Sequence, residues 1–122
     1  MKAPKSYRDL KVWQMAMSLA SGTYELTSQF PRHELYGLTG QIRRAAVSVP
    51  ANIAEGRGRF SRGDFAHHAS IARGSLMELD THLEIAIRLN YVQAKDVEPL
   101  LPLVDQVSRM LTTLIRTLRI PK

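Results

Sequence analysis

The sequence predicts an all-α protein, an antiparallel up-down-up-down four-helix bundle. Three observations carry that expectation. Apolar residues recur at spacings of three and four in four long segments, and no segment shows the period of two that a half-buried strand requires. The joints between segments are a few residues long, so each helix must turn back on the one before it. With 122 residues, 44% hydrophobic and 23% charged, the chain has the size and composition of one globular domain, residues 1–122.

The four segments are expected near residues 7–28, 36–55, 62–89 and 94–118. In the first, Ser6 with Asp9 reads as a capping box. Trp13, Met17, Ala20 and Tyr24 form one apolar row, with Val12, Ala16, Leu19 and Leu26 beside it. That face is wider than a thin surface helix needs. Trp13 and Tyr24 are therefore read as core or interface residues, and Phe30-Pro31 ends the segment.

The second segment carries the stripe Ile42, Ala46, Val49 and Ile53. Arg43 and Arg44 fall off it and should face outward or toward a partner. Pro50 removes one backbone hydrogen bond and crowds the preceding turn, which predicts a kink near Ala46–Pro50 and not a stop. Small residues at 45, 46, 48, 51 and 54 would admit a close neighbour. The run Gly56-Arg57-Gly58-Arg59 is the clearest break in the chain.

Ser61 with Asp64 reads as a second capping box. The third segment then has the best heptad pattern: Phe65, Ala69, Ala72, Leu76, Leu79, Leu83 and Ala86. Asn90 suits a left-handed C-cap. The fourth carries Leu100, Val104, Val107, Leu111, Leu114 and Leu118, with Pro99 and Pro102 bending or delaying its start. Arg116 and Arg119 sit near its C-terminus, where they favour the helix dipole.

Charge narrows the function classes. The chain has 17 Lys+Arg against 11 Asp+Glu, a net charge of +6. The excess is local: residues 32–73 hold seven arginines against Glu34, Glu55 and Asp64, whereas residues 74–122 balance. Guanidinium forks bind phosphate well, so a localised arginine excess points to nucleic acid or another polyanion. The rival reading is a solvated face that keeps a small protein soluble. Arg57, Arg59 and Arg62 cluster in one joint beside a helix N-terminus, a plausible phosphate docking point. Tyr7 beside Arg8, and Phe60 after Arg59, are aromatics placed to stack on bases, though two platforms are few.

Other chemistries find little support. With no cysteine there is no disulfide, thiolate zinc site or cysteine nucleophile. A bundle di-metal centre needs Glu-x-x-His on two helices, and only Asp64-x-x-His67 and Glu78-x-x-x-His82 come near, both on the third segment. No cofactor or metal is therefore expected. Gly56-x-Gly58 follows a helix, so it lacks the strand–loop–helix setting of a nucleotide cradle. Arg62-x4-His67 has the spacing of the pair in some small helical ribonucleases, where His and Arg would serve a 2′-hydroxyl and a phosphate. That spacing is unspecific among twelve arginines and four histidines. Met1–Lys11 is polar and basic, and no apolar stretch reaches the roughly 18 residues of a span, so a soluble cytoplasmic protein off the membrane is expected.

Three stretches carry a family resemblance: Tyr7-Arg8-Asp9-Leu10-Lys11-Val12-Trp13-Gln14, then Tyr36-Gly37-Leu38-Thr39, then Gln41-Ile42-Arg43-Arg44-Ala45-Ala46-Val47-Ser48-Val49-Pro50-Ala51-Asn52-Ile53-Ala54-Glu55-Gly56. With Gly74-Ser75-Leu76, Leu83-Glu84-Ile85-Ala86 and Ser108-Arg109-Met110-Leu111, they resemble the bacterial four-helix-bundle family named for intervening sequences in 23S ribosomal RNA genes. The resemblance spans roughly residues 6–118. It implies a cytosolic homo-oligomer, a pentameric ring, without enzymatic activity. A related branch contains the accessory protein of diversity-generating retroelements, which binds a reverse transcriptase and nucleic acid. No catalytic residue carries over. Arg8 and Lys11 fall in the first matched stretch, Arg43 and Arg44 in the third, and Arg57 and Arg59 just after it. These six with Arg62 are the expected nucleic-acid contacts, RNA before DNA. A purely structural or protein-interaction module is the alternative.

Overall fold

The computed structural model describes residues 6–121, and within them every long element is helical. The four main helices are α1 (Lys11–Thr27), α2 (Leu38–Arg57), α3 (Arg62–Arg88) and α5 (Leu101–Arg119), with a single turn α4 (Ala94–Val97) before the last. Neighbours around the bundle run α1, α2, α3, α5 and back to α1, as antiparallel up-down-up-down connectivity demands.

Local chemistry accounts for the ends. Ser6 and Asp9 do form a capping box, but it closes a 3-10 turn at Tyr7–Asp9, and α1 begins only at Lys11. Ser61 Oγ accepts from the Asp64 amide at 3.0 Å and opens α3. Asn90 takes φ 63°, and the amides of Asn90 and Tyr91 donate to Ile87 and Ala86, which is the Schellman closure of α3. Both prolines act where the fourth helix was expected to start. Helical structure does begin at Ala94, as α4, but Pro99 lies in a 3-10 turn at Glu98–Leu100 and Pro102 in the first turn of α5, so the long regular helix begins only at Leu101. α2 passes through the buried Pro50 and extends to Arg57.

All but one of the buried hydrophobic residues, Ala66 being the exception, form one cluster. The heptad positions of α3 from Ala69 to Ala86 and the α2 stripe Ile42, Ala46, Val49 and Ile53 are all at most 1% exposed. On α1 the expected rows change roles. Val12, Ala16 and Leu19 are buried and the row continues through Thr23 and Thr27, while Met17 and Tyr24 face outward. Both threonine hydroxyls donate to carbonyls one turn back, Leu19 at 2.8 Å and Thr23 at 2.9 Å, so they enter the core satisfied.

α2 and α3 share the most extensive contact in the bundle, which the small residues of α2 allow. Ser48 and Ser75 share a hydrogen bond of 2.8 Å across the seam, and Asn52 links Ser48 to His68. Gly56 lies inside α2, ahead of the break, and is packed against α3. A Cβ there would lie 2.8 Å from the His68 Cβ and 2.9 Å from Phe65 Cδ1. At the opposite end of α2, Glu34 Oε1 accepts from the Leu38 amide at 3.0 Å and Oε2 from the Tyr91 hydroxyl at 2.7 Å. The amide bond first, then the hydroxyl, holds the Glu34 carboxyl below its ordinary 4.5, and the same contact raises Tyr91 above its ordinary 10.0.

Three outcomes follow from this packing. Leu79→Ala should lower stability by about 2–5 kcal/mol in a thermal or denaturant melt. In α3, a Cβ at Gly74 meets nothing within 4 Å, so Gly74→Ala should stabilise by about 0.5–1 kcal/mol, whereas Gly56→Ala should destabilise by about 1–3 kcal/mol despite the same gain in helix propensity. Because Glu34 is depressed in the folded state, its contribution is present above 4.5 and lost as pH falls through the lower folded value. The Tm gap between the wild type and Glu34→Gln should therefore be widest near neutrality and narrow as the pH drops below that range.

Candidate nucleic-acid interface

Antiparallel packing brings four helix ends together at each pole. At one, here termed the proximal end, α1 and α3 begin and α2 and α5 finish. Arg62 fixes that meeting: its Nη2 donates to the Thr117 carbonyl at 2.6 Å, tying the first turn of α3 to the last turns of α5. Arg119 reaches Ser70 Oγ at 3.4 Å and Arg73 Nε donates to Thr112 Oγ1 at 3.1 Å along the same pair of helices.

Charge divides along the bundle axis. If each long helix is split at its midpoint, the described residues of the proximal half hold eight cations, Arg8, Lys11, Arg57, Arg59, Arg62, Arg73, Arg116 and Arg119, against Asp9, Glu55 and Asp64. The distal half holds Arg32, Arg43, Arg44, Arg88, Lys95 and Arg109 against eight carboxylates, Glu25, Glu34, Glu78, Asp80, Glu84, Asp96, Glu98 and Asp105. One pole is strongly positive and the other slightly negative.

Five of the seven expected contact residues gather at the proximal end. Lys11 is exposed, and Arg8 is exposed with its guanidinium 5.0 Å from the Tyr7 ring centre. Arg59 pairs with Glu55 at 2.6 Å in a surface contact one helical turn long. Arg57 is half-buried, and Arg62 is exposed beyond its bond to Thr117. Beside them Phe60 is fully exposed in the α2–α3 joint.

Arg43 and Arg44 lie apart, in the distal half of α2. Arg43 is half-buried, donates to Thr27 Oγ1 at 3.0 Å and lies 4.7 Å over the Tyr24 ring, so its side chain fastens α2 to α1. Arg44 is exposed. Sequence reading missed Arg73, Arg116 and Arg119 as members of the cluster. The available signal was the topology itself, since an antiparallel α5 must end beside the start of α3.

Arg62 is turned to Thr117, and His67 meets His68 edge-on at 5.7 Å between ring centres. Among the described residues no group of three or more His, Cys, Asp or Glu is placed to hold a metal ion. No helix among them is long and apolar enough to cross a membrane.

An all-helical bundle with one cationic pole defines the class of protein at hand. The family of 23S rRNA-intervening sequence proteins matches residues 8–113, and the chain belongs to that family. A solved structure from Bacteroides thetaiotaomicron, a protein of unknown function of the S23 ribosomal protein family, shares the fold with a TM-score of 0.76. It is 24% identical, and the match covers 85% of this chain and 97% of that one. No curated protein matches the chain.

Proposed function

We propose that this protein is a non-enzymatic, cytosolic helical oligomer that binds structured RNA, or a protein–RNA partner, through its proximal end. The observation that carries the reading is the axial segregation of charge: eight cations against three carboxylates at one pole. Phosphates are the natural counterpart of clustered guanidinium groups, and binding them releases condensed counterions. The exposed Phe60 adds a face on which an unpaired base can stack.

Self-association is supported by a separate feature. Met17, Tyr24 and Val47 are 40%, 45% and 44% exposed and line one shallow depression with Ala20 and Pro50 on adjoining faces of α1 and α2. A contiguous apolar strip of this kind suits a contact between subunits. A copy number of five rests on the family resemblance alone.

Two outcomes are expected. In a titration with a labelled RNA hairpin, affinity should fall steeply between low and moderate salt, and a gel should recover the RNA intact. Lys11→Gln/Arg59→Gln should weaken binding and Arg32→Gln/Arg44→Gln, at the distal end, should not. Absence of binding at low salt would leave a protein-interaction module, and cleavage lost on His67→Ala would make the protein a nuclease. In native mass spectrometry the wild type should be a discrete oligomer at micromolar concentration, and Met17→Glu/Val47→Glu should give a helical monomer. A wild-type monomer refutes self-association.

A further inference from the structure

From the groove between α3 and α5 we infer that it is the phosphate track of this interface, the place where an RNA backbone runs along the bundle. The inference rests on the RNA-binding reading above and goes beyond it by placing the strand on residues that the sequence reading did not assign as contacts.

Ser70 and Arg73 on α3 face Thr112, Arg116 and Arg119 on α5 across a cleft of about 390 Å³, with Ile115 as its apolar wall. No carboxylate lines the cleft. Its arginines are held by neutral oxygens only: Arg73 by Thr112 Oγ1 through Nε, and Arg119 weakly by Ser70 Oγ at 3.4 Å. Arg116 has no partner among the described residues, and the ion pairs at Glu55, Glu78, Glu84 and Asp105 lie outside the cleft. Contact through Nε leaves both terminal nitrogens of Arg73 open, the geometry a phosphate accepts.

Three like charges in one groove repel each other in the free protein. An anion that enters relieves that repulsion and gains charge-assisted hydrogen bonds. The track continues past the cleft to Arg62, whose bond to the Thr117 carbonyl holds it against the last turns of α5. From Arg62 to Arg73 is about 16 Å along α3 at 1.5 Å per residue, room for several consecutive phosphates. Phe60, one residue before the Ser61 cap, is fully exposed in the joint that leads into α3. A phosphate row with an exposed aromatic at its end fits RNA better than an acidic peptide, which has no bases to stack.

The test is a salt-dependent titration of a labelled RNA hairpin with Arg73→Gln/Arg116→Gln/Arg119→Gln and with the corresponding triple Lys variant. Each phosphate contact contributes a slope of about 0.7–0.9 in log K against log salt. The Gln variant should therefore lose about two to three units of slope and about 100-fold in affinity at 0.1 M salt, while the Lys variant keeps most of the slope. If the Gln variant proves misfolded by circular dichroism, Arg116→Gln alone decides, because that side chain anchors nothing. It should lose about one unit of slope. A Gln variant that binds like the wild type, beside a Lys11→Gln/Arg59→Gln variant that does not, overturns the track and leaves the proximal interface standing. Polyglutamate displacing the RNA at equal charge concentration overturns the assignment to a nucleic acid backbone. A wild type that binds no RNA at low salt overturns both readings.

Discussion

The close seam between α2 and α3 is the constraint from which the rest of the architecture follows. Gly56 permits it at one end, buried alanines at 45 and 46 along it, and the Ser75–Ser48–Asn52–His68 bonds fix its register. A joint of four residues, Gly58 to Ser61, leaves α3 no choice but to return along α2. Once that pair is set, the heptad face of α3 can be covered only by α1 and α5. Covering it draws the last turns of α5 to the first turns of α3, and the Arg62–Thr117 bond closes the contact. The cationic pole is thus a consequence of packing, built by residues from four separate stretches of chain.

Helix dipoles do not account for that pole. Cations commonly gather at helix C-termini, where the partial charge is negative. In an antiparallel bundle each pole carries two N-termini and two C-termini, so those partial charges cancel. Arg57, Arg59, Arg116 and Arg119 sit well at the ends of α2 and α5, yet Arg8, Lys11 and Arg62 stand at the starts of α1 and α3, where cations are disfavoured. The distal pole, with the same arrangement of termini, carries more carboxylates than cations. It is stitched by specific contacts, with Glu34 capping α2 and accepting from Tyr91. One pole is organised by paired groups and the other by an excess of one sign, and an excess that destabilises the free state is what an anionic ligand would neutralise.

Elements governed by local rules were legible in the sequence. The α3 heptad, the α2 stripe, the Ser61 cap and the Asn90 turn all depend on neighbours within a few residues. What escaped depends on tertiary adjacency. The row on α1 changed because Thr23 and Thr27, polar by composition, bury their hydroxyls on their own helix. Arg43 read as a residue facing outward or toward a partner because Thr27 and Tyr24, which it meets, belong to another helix. The charge census misled most. Residues 74–122 balance as a stretch, but the fold sends their carboxylates at 78, 80, 84, 96, 98 and 105 to the distal half and Arg116 and Arg119 to the proximal pole. Neutrality in sequence concealed segregation in space.

That segregation matters most in the proposed ring. A cyclic rotation leaves direction along its axis unchanged. If the bundles stand roughly along the axis, every cationic pole therefore lies on the same face of the ring, and the axial asymmetry of one subunit becomes the asymmetry of the whole assembly. A dihedral arrangement would instead present positive poles on both sides. On a one-sided cationic face, a long RNA meets identical sites in succession. Each later contact is then intramolecular, so individually weak phosphate contacts reach useful affinity through effective concentration. Under that proposal the same logic lets a 13.7 kDa subunit serve as one unit of a nucleic-acid platform. The proposed recognition surface is completed by repetition, and its specificity would lie in which RNAs can follow the spacing of the repeated tracks.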